Sequence, residues 1–300
     1  MQEKPRIGWI GTGVMGASMA GHLLQGGYSV SVYNRTRHKA QALLDAGAQW
    51  RDSPQDVAQA SDCVFSIVGY PHDVEETILG EKGVLSGLAA GGIVCDMTTS
   101  SPALAERIAK EAEARGCTAL DAPVTGGDMG ARNATLAILV GGDATAFERL
   151  KPCFELMGKR ITHFGGPGKG HYAKLANQTA VAGLMFSVCE SLLFAHEAGL
   201  DARVWLEAVS GGAAGSTAMN SYAPRILDGD YKPGFYSAHF LKDLEMCIAE
   251  CRRMKLVLPG LALAEQMYRL MAANGRDQDG THALILALAA LSGREWTACK

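Results

Sequence analysis

The stretch RIGWIGTGVMGASMAGHLL, Arg6 to Leu24, decides how this chain folds. Its apolar run Ile7-Gly8-Trp9-Ile10 predicts a first buried strand. Gly11-Thr12-Gly13-Val14-Met15-Gly16 then turns directly into a helix with apolar periodicity through Ala20 and Leu24. This is GxGxxG in its informative setting, after a strand and at the opening of a helix. Gly11 permits the tight turn, Gly13 lets the backbone approach a pyrophosphate, and Gly16 lets the helix pack on the strand. The free N–H groups and positive dipole end of that helix favour a phosphate anion. Alone, the pattern also describes a ligand-free glycine turn. Its position between strand and helix points to dinucleotide binding.

Working outward, Gly26-Gly27 reads as the helix stop, and Ser29-Val-Ser-Val-Tyr33 alternates like a strand. About 20 residues beyond the glycines, an acid would bond the ribose 2′-hydroxyl of NAD. The chain instead carries Asn34-Arg35-Thr36-Arg37, without an acid. Arginine there accommodates a 2′-phosphate, so these residues predict NADP (NADPH) over NAD. The plainer alternative is that Arg35 and Arg37 only decorate a helix start.

Strand and helix signals then alternate. Ser53-Pro54 opens a helix. Further strands are predicted at Cys63–Val68, Ile93–Met97, Thr118–Leu120, Leu136–Val140 and Ile161–Phe164, with Thr98 to Pro102 capping a helix. Such alternation implies an open, mostly parallel α/β sheet with helices on both faces. Ligands of these sheets lie beyond the strands' carboxyl ends. That places Val68-Gly69, Thr98-Thr99 and Thr125-Gly126-Gly127 at the cleft. Thr98 reads equally well as a simple cap.

After Phe164 the strand signals stop. His171 to Glu197 is long and apolar-periodic, roughly 40 Å of helix at the standard rise. More helices are predicted around Arg203–Val209, Leu241–Met254, Leu261–Ala273 and His282–Leu291, with loops at Gly211–Ser216, Asp228–Gly234 and Asn274–Gly280. The reading is a dinucleotide domain over 1–164 and an all-helical domain over 165–300 for substrate and oligomerisation. Large apolar helical faces point to a homo-oligomer.

With 300 residues and a net charge of -3, the chain favours neither nucleic acid nor an acidic membrane surface. No apolar run reaches the roughly 18 residues of a membrane span. The N-terminus enters its first strand too soon for a signal peptide, which predicts a cytoplasmic protein. The eight cysteines, Cys63, Cys95, Cys117, Cys153, Cys189, Cys247, Cys251 and Cys299, form no CxxC and read as small buried hydrophobes. Cys247 and Cys251, four apart, are two ligands without a third, so no metal site is expected.

Lys174 and Asn177 stand three apart and share a helix face. Hydride transfer from an alcohol to a nicotinamide needs a base for the hydroxyl proton. A lysine can serve where burial and a neighbouring cation favour its neutral form. Lys242 is the candidate second cation. Asn177 is suited to orient the substrate, and Thr125-Gly126-Gly127 offers N–H groups and a hydroxyl to a carboxylate. By itself, Lys174 also fits a solvated helix position.

Four motifs in order resemble the β-hydroxyacid dehydrogenase family nearly end to end: Gly8 to Gly16, Asp121-Ala-Pro-Val-Thr-Gly-Gly127, Gly170-His-Tyr-Ala-Lys-Leu-Ala-Asn177 and Lys242-Asp243-Leu244. The family includes 3-hydroxyisobutyrate dehydrogenase and tartronate semialdehyde reductase. The resemblance implies a Rossmann-type doubly wound parallel sheet domain, a long connecting helix and an all-α domain, assembled as homodimers or homotetramers. It implies Lys174 as catalytic acid/base and Asn177 as substrate ligand. Thr125, Gly126 and Gly127 would hold a small substrate carboxylate, with Thr98 and Lys242 at the nicotinamide. Asn34-Arg35-Thr36 resembles the NADPH-preferring version. Departures are Thr125 for the usual serine, Ala134 for a usual glycine, and His239 where an apolar residue is commoner. His239 reads best as a partly exposed helix histidine. Asp128–Asn133 and Ser210–Thr217 read as pocket-shaping loops, and Arg132 as a surface ion pair more readily than a second carboxylate ligand. The competing readings are an imine reductase, whose resemblance is to the cofactor half and which typically lacks the lysine; a 6-phosphogluconate dehydrogenase, whose helical domain is much larger than this length allows; and a non-catalytic NADP-binding scaffold.

Overall fold

The computed structural model describes residues 4–297; Met1, Gln2, Glu3 and Cys299 lie outside the described residues. The chain divides into two compact units, 1–174 and 175–300, and the division falls inside the long helix.

The first unit runs β1 (Ile7–Ile10), α1 (Val14–Gln25), β2 (Val30–Tyr33), α2 (Gln41–Asp45), β3 (Gln49–Trp50), α3 (Pro54–Gln59), β4 (Cys63–Ser66), α4 (Pro71–Leu79), α5 (Val84–Gly87), β5 (Ile93–Asp96), α6 (Pro102–Glu113), β6 (Thr118–Asp121), β7 (Val124–Thr125), α7 (Gly127–Arg132), β8 (Leu136–Gly142), α8 (Ala144–Met157) and β9 (Gly158–His163). The sheet order is β3-β2-β1-β4-β5-β6-β8-β7, with β9 beside β8. Pairing is parallel from β3 to β6, and β8 runs antiparallel to both β6 and β7. This is the doubly wound arrangement, in which the strand order reverses between β1 and β4.

Strand side chains alternate between faces. Ile7, Trp9, Phe65, Cys95 and Leu120 join one apolar cluster, while Ile10, Val64, Val94 and Ala119 join another. A sheet buried on both faces needs apolar residues at nearly every strand position. That requirement explains the continuous apolar runs in the sequence.

Local signals behave as their chemistry dictates. Ser53 accepts a hydrogen bond from the Asp56 N–H and Pro54 opens α3, while Gly26 ends α1. Three expectations are corrected. Ser101, not Thr98, occupies the cap position of α6, and no side chain there makes a capping bond. Asp128–Asn133 is not a loop, because α7 covers most of it, with Arg132 paired to Asp128 one turn away. β4 stops at Ser66, leaving Ile67-Val68 in the loop beyond.

The long helix is α9 (Lys169–Glu197), followed by α10 (Ala202–Val209), α11 (Thr217–Leu227), α12 (Ser237–Met254), α13 (Pro259–Ala273) and α14 (Leu284–Leu291). Met185, Val188, Leu192, Phe240, Leu244 and Tyr268 form the core of this second unit, with Cys247 and Cys251 buried among them. α11 has no counterpart among the helices expected from the sequence. Its segment Ser216-Thr-Ala-Met-Asn-Ser-Tyr-Ala-Pro224 is rich in residues that favour caps and turns. Ser216 accordingly caps it, and burial of Met219, Ala223, Ile226 and Leu227 outweighs the weak propensity. Among the described residues α9 alone is long and apolar enough to cross a membrane, by length and composition only. From Thr179 to Ala195 it carries one charged residue, Glu190, which corrects the expectation that no apolar run reaches that length. A buried core helix satisfies the same test.

Candidate active site

The glycine turn is fixed by close approaches. Gly11 has φ +96°, and a Cβ there would lie 2.0 Å from the Ile67 carbonyl oxygen beyond β4. A Cβ on Gly16 would lie 2.0 Å from the Gly11 carbonyl oxygen. At Gly13, by contrast, a Cβ would meet nothing within 4 Å. No side chain caps the first turn of α1, the Thr12 hydroxyl is buried without a hydrogen-bond partner, and the Val14 side chain is 58% exposed. These features fit a dinucleotide pyrophosphate resting on open backbone N–H groups. Met15 packs partly buried against the sheet core.

Asn34 ties this turn to the end of β2. Its side-chain oxygen accepts from the Thr12 N–H at 3.0 Å, and its amide donates to the Thr36 carbonyl at 2.9 Å. Arg35 reaches Asp73 at 2.9 Å, with the Arg35 side chain 77% exposed and that of Asp73 7%. Arg37 lies over the Trp50 ring, 5.1 Å from its centroid. The ends of β4 and β5 are joined directly. Thr98 Oγ1 accepts from the Val68 N–H at 3.0 Å, and the Thr98 N–H donates to Asp96 Oδ1 at 3.1 Å. Thr98 thus bridges two strand-end loops beside the topological reversal and does not occupy the cap of α6.

Thr125 is half-buried at the end of β7, followed by exposed Gly126 and Gly127. Their φ values of +132° and +64° turn the chain into α7. Upstream in the same motif, Asp121 is buried at the end of β6. Its carboxylate accepts the Gly168 and His171 N–H groups, each at 2.8 Å. It therefore satisfies donors at the start of α9, one just before it and one in its first turn, that no helical carbonyl can reach. Burial pushes the Asp121 carboxyl up to about 6 despite these bonds. One turn further along, Lys174 is only 7% exposed. The expectation of a solvated lysine is set aside.

The second unit assembles its own polar chain. Asn177 Nδ2 donates to Gln178 Oε1 at 2.8 Å, and Gln178 Nε2 donates to Asp243 Oδ2 at 2.7 Å. The Lys242 ammonium lies 3.1 Å from Asp243 Oδ1, with side-chain exposures of 11% and 1%. The candidates Asn177 and Lys242 are thus connected through Gln178 and Asp243, neither of them a candidate from the sequence. Gln178 and Asp243 carried a faint signal, as polar residues within apolar helix patterns beside singled-out neighbours. His239 is half-buried, and its imidazole is pushed below the ordinary histidine value, first by burial and then by the Lys242 charge. Among the described residues no three His, Cys, Asp or Glu side chains gather to hold a metal.

Residues 6–166 match the family model described as the NAD binding domain of 6-phosphogluconate dehydrogenase. Residues 168–288 match the one described as NAD-binding of NADP-dependent 3-hydroxyisobutyrate dehydrogenase. A probable mitochondrial 3-hydroxyisobutyrate dehydrogenase-like protein of Arabidopsis thaliana is 56% identical over 288 residues, covering 96% of this chain and 86% of the relative. The 2-hydroxy-3-oxopropionate reductase of Escherichia coli is 39% identical, covering 94% of this chain and 97% of that one. The 3-hydroxyisobutyrate dehydrogenase of Mycobacterium tuberculosis, solved with L-serine, superposes with a TM-score of 0.86 at 27% identity, covering 95% and 99% of the two chains. The chain belongs to the β-hydroxyacid dehydrogenase family, and is an oxidoreductase acting on a CH–OH group with a nicotinamide dinucleotide.

Proposed function

We propose that the protein is an NADP-dependent dehydrogenase that interconverts a small 3-hydroxy acid, of the 3-hydroxyisobutyrate or glycerate type, with its semialdehyde. The observation that carries this reading is Lys174, a buried lysine one turn beyond the Asp121 clamp. The names of the Arabidopsis and Escherichia coli relatives support the substrate class.

The bound nicotinamide supplies the hydride acceptor or donor. Lys174 Nζ takes the hydroxyl proton as the alcohol is oxidised and returns it as the aldehyde is reduced. Asn177 orients the substrate oxygen, and Lys242 adds a cation at the nicotinamide end. Thr125 with the Gly126 and Gly127 N–H groups seats the carboxylate. Gly11 to Gly16 holds the pyrophosphate, and Val68, Gly69 and Thr98 line the path toward the nicotinamide. Arg35, with Asn34 and Thr36, faces the 2′-phosphate, which requires its guanidinium to serve both that group and Asp73. Residues 1–164 form the cofactor half and 165–300 the substrate and oligomerisation half.

The test is initial rates with NADP(H) and NAD(H) over a panel of small 3-hydroxy acids and semialdehydes, in wild type and Lys174→Ala. Turnover with NADP(H) that falls about 10²- to 10⁴-fold in the variant, with cofactor binding retained, is the expected result. Unchanged turnover in the variant would falsify the role of Lys174, and equal or better use of NADH would remove the cofactor preference.

We also infer a cytoplasmic homodimer or homotetramer that binds neither nucleic acid nor membranes. Phe194, Val204, Val257 and Leu291 of the helical unit are 76%, 63%, 82% and 60% exposed, which supports a partner-covered surface. Light scattering on the purified protein reports the assembly directly, and a monomer at micromolar concentration would reject it.

A further inference from the structure

Beneath the first turn of α9 lies a small enclosed cavity of about 10 Å³, room for one water molecule. Asp96, Ser100, Asp121 and His171 are its polar lining; Val74, Leu104 and Ile108 close it with apolar surface. Asp96 Oδ1 accepts from the Ser66 hydroxyl and from the Thr98 N–H, each at 3.1 Å. Its other oxygen, Oδ2, and the Ser100 hydroxyl are buried without a protein hydrogen-bond partner among the described residues. His171 Nε2 is 4.0 Å from that Oδ2.

This placement connects two parts of the site. On one side Asp96 holds Thr98, whose hydroxyl holds the Val68 N–H. On the other side stands His171, 1% exposed and three residues before Lys174 on the same helix face. We propose that Asp96 is a positioning residue of the hydride-transfer reaction. A water in this cavity joins Asp96 Oδ2 to the Ser100 hydroxyl, and the approach of His171 Nε2 to that same oxygen fastens the Lys174 turn to the Thr98 loop. Two buried polar atoms facing a water-sized space are satisfied together by such a water. The inference rests on Lys174 being the acid/base.

Protonation of Asp96 would loosen this connection, because a neutral carboxyl attracts a histidine less. Burial pushes that carboxyl up to about 6, a tendency opposed by hydrogen bonds from Thr98 and Ser66 and strengthened by the Asp121 charge. The titratable groups facing it are Asp121 from β6 and His171 from α9, with Cys95 next to it on β5; α4 and α6 contribute only apolar side chains to the cavity wall.

The experiment compares wild type, Asp96→Asn, Ser100→Ala and Lys174→Ala for kcat, KM and pH profile. Asp96→Asn keeps an oxygen for Ser66 and Thr98, and replaces the charged Oδ2 acceptor beside His171 with a neutral amide donor. Misplacing a catalytic group by an ångström costs up to about 100-fold. Asp96→Asn should therefore lower kcat by about 10- to 100-fold with the NADPH KM little changed. Its kcat should also vary less than that of wild type across about pH 5 to 7, where the native carboxyl titrates. Ser100→Ala, which leaves every charge in place, should lower kcat in the same direction and by less. Wild-type kcat and pH profile in both variants, beside an inactive Lys174→Ala, would overturn the positioning role alone. An active Lys174→Ala would overturn the acid/base reading and this inference with it. Should Asp96→Asn not fold, wild-type kcat in Ser100→Ala is by itself the overturning result.

Discussion

The two units hold their polar residues by different means. In the sheet unit the anchors are backbone groups: Asp121 grips two N–H groups at the start of α9, Asp96 and Thr98 each accept a main-chain N–H, and Asn34 bonds main chain at both ends. In the helical unit the connection runs from side chain to side chain, Asn177 to Gln178 to Asp243 to Lys242. Backbone donors are present whatever residue supplies them. Side-chain donors disappear with one substitution. The helical network should therefore be the more fragile, and rescuable by a compensating change, whereas a lost anchor in the sheet unit has no such remedy.

The largest expected effect is Asp243→Ala. It removes a carboxylate 1% exposed from an ammonium 11% exposed. Breaking a buried pair from one side costs about 3–5 kcal/mol. Urea unfolding should show that loss, and adding Lys242→Met should recover part of it. A double variant as unstable as the sum of its two single changes would contradict a side-chain network.

Asp121→Ala comes next. It strands two buried N–H donors at the start of α9, Gly168 just before it and His171 in its first turn. One unsatisfied buried group costs about 1–3 kcal/mol, and a loss in the upper part of that range is expected by the same measurement. No side-chain replacement at Gly168 or His171 should restore it, because the partners are main chain.

The contrast also predicts opposite pH slopes. Burial raises the Asp96 and Asp121 carboxyls from 3.8 to about 6. The folded state then holds those protons more tightly than the unfolded state. Their contribution to stability is full below the unfolded value and is lost as pH rises through about 6. Asp230 in the helical unit is lowered instead, chiefly by its hydrogen bond from Arg225. Its contribution is present above the unfolded value and is lost as pH falls through the lowered one. Melting temperatures of Asp96→Asn and Asp230→Asn against wild type should diverge from it in opposite directions as pH falls from neutral. Parallel curves would contradict the assignment.

This difference in construction governs what could be read in the sequence. The sheet unit was legible because its determinants are local. Gly11 and Gly16 sit where a Cβ has no room, Ser53-Pro54 is a cap with a mechanism, and two-sided burial gives unbroken apolar strands. The individual candidates Lys174, Asn177 and Lys242 were reached through motifs. What joins them was not legible, because Gln178 meets Asp243 across 65 residues of sequence. The place of Asp121 at a helix start 47 residues on was equally hidden. α11 went unread because its packing residues lie among turn formers.

The smallest effect tests the backbone side of the comparison at a place where the sequence departs from its family. Ala134 has φ +52°, a left-handed conformation in which a Cβ crowds the following carbonyl by about 1–2 kcal/mol. Its N–H, just after α7, is bonded only weakly, at 3.5 Å to the carbonyl of Ala131 within that helix. Ala134→Gly removes the crowding but returns entropy to the unfolded chain, which offsets about 0.4–1 kcal/mol of the gain. A net stabilisation of about 0.5–1 kcal/mol should therefore appear in urea unfolding. Because the sheet unit here depends on backbone conformation and not on the alanine methyl, kcat should stay unchanged. A destabilised Ala134→Gly would show that the methyl packs usefully, and that side chains hold this loop as they hold the helical unit.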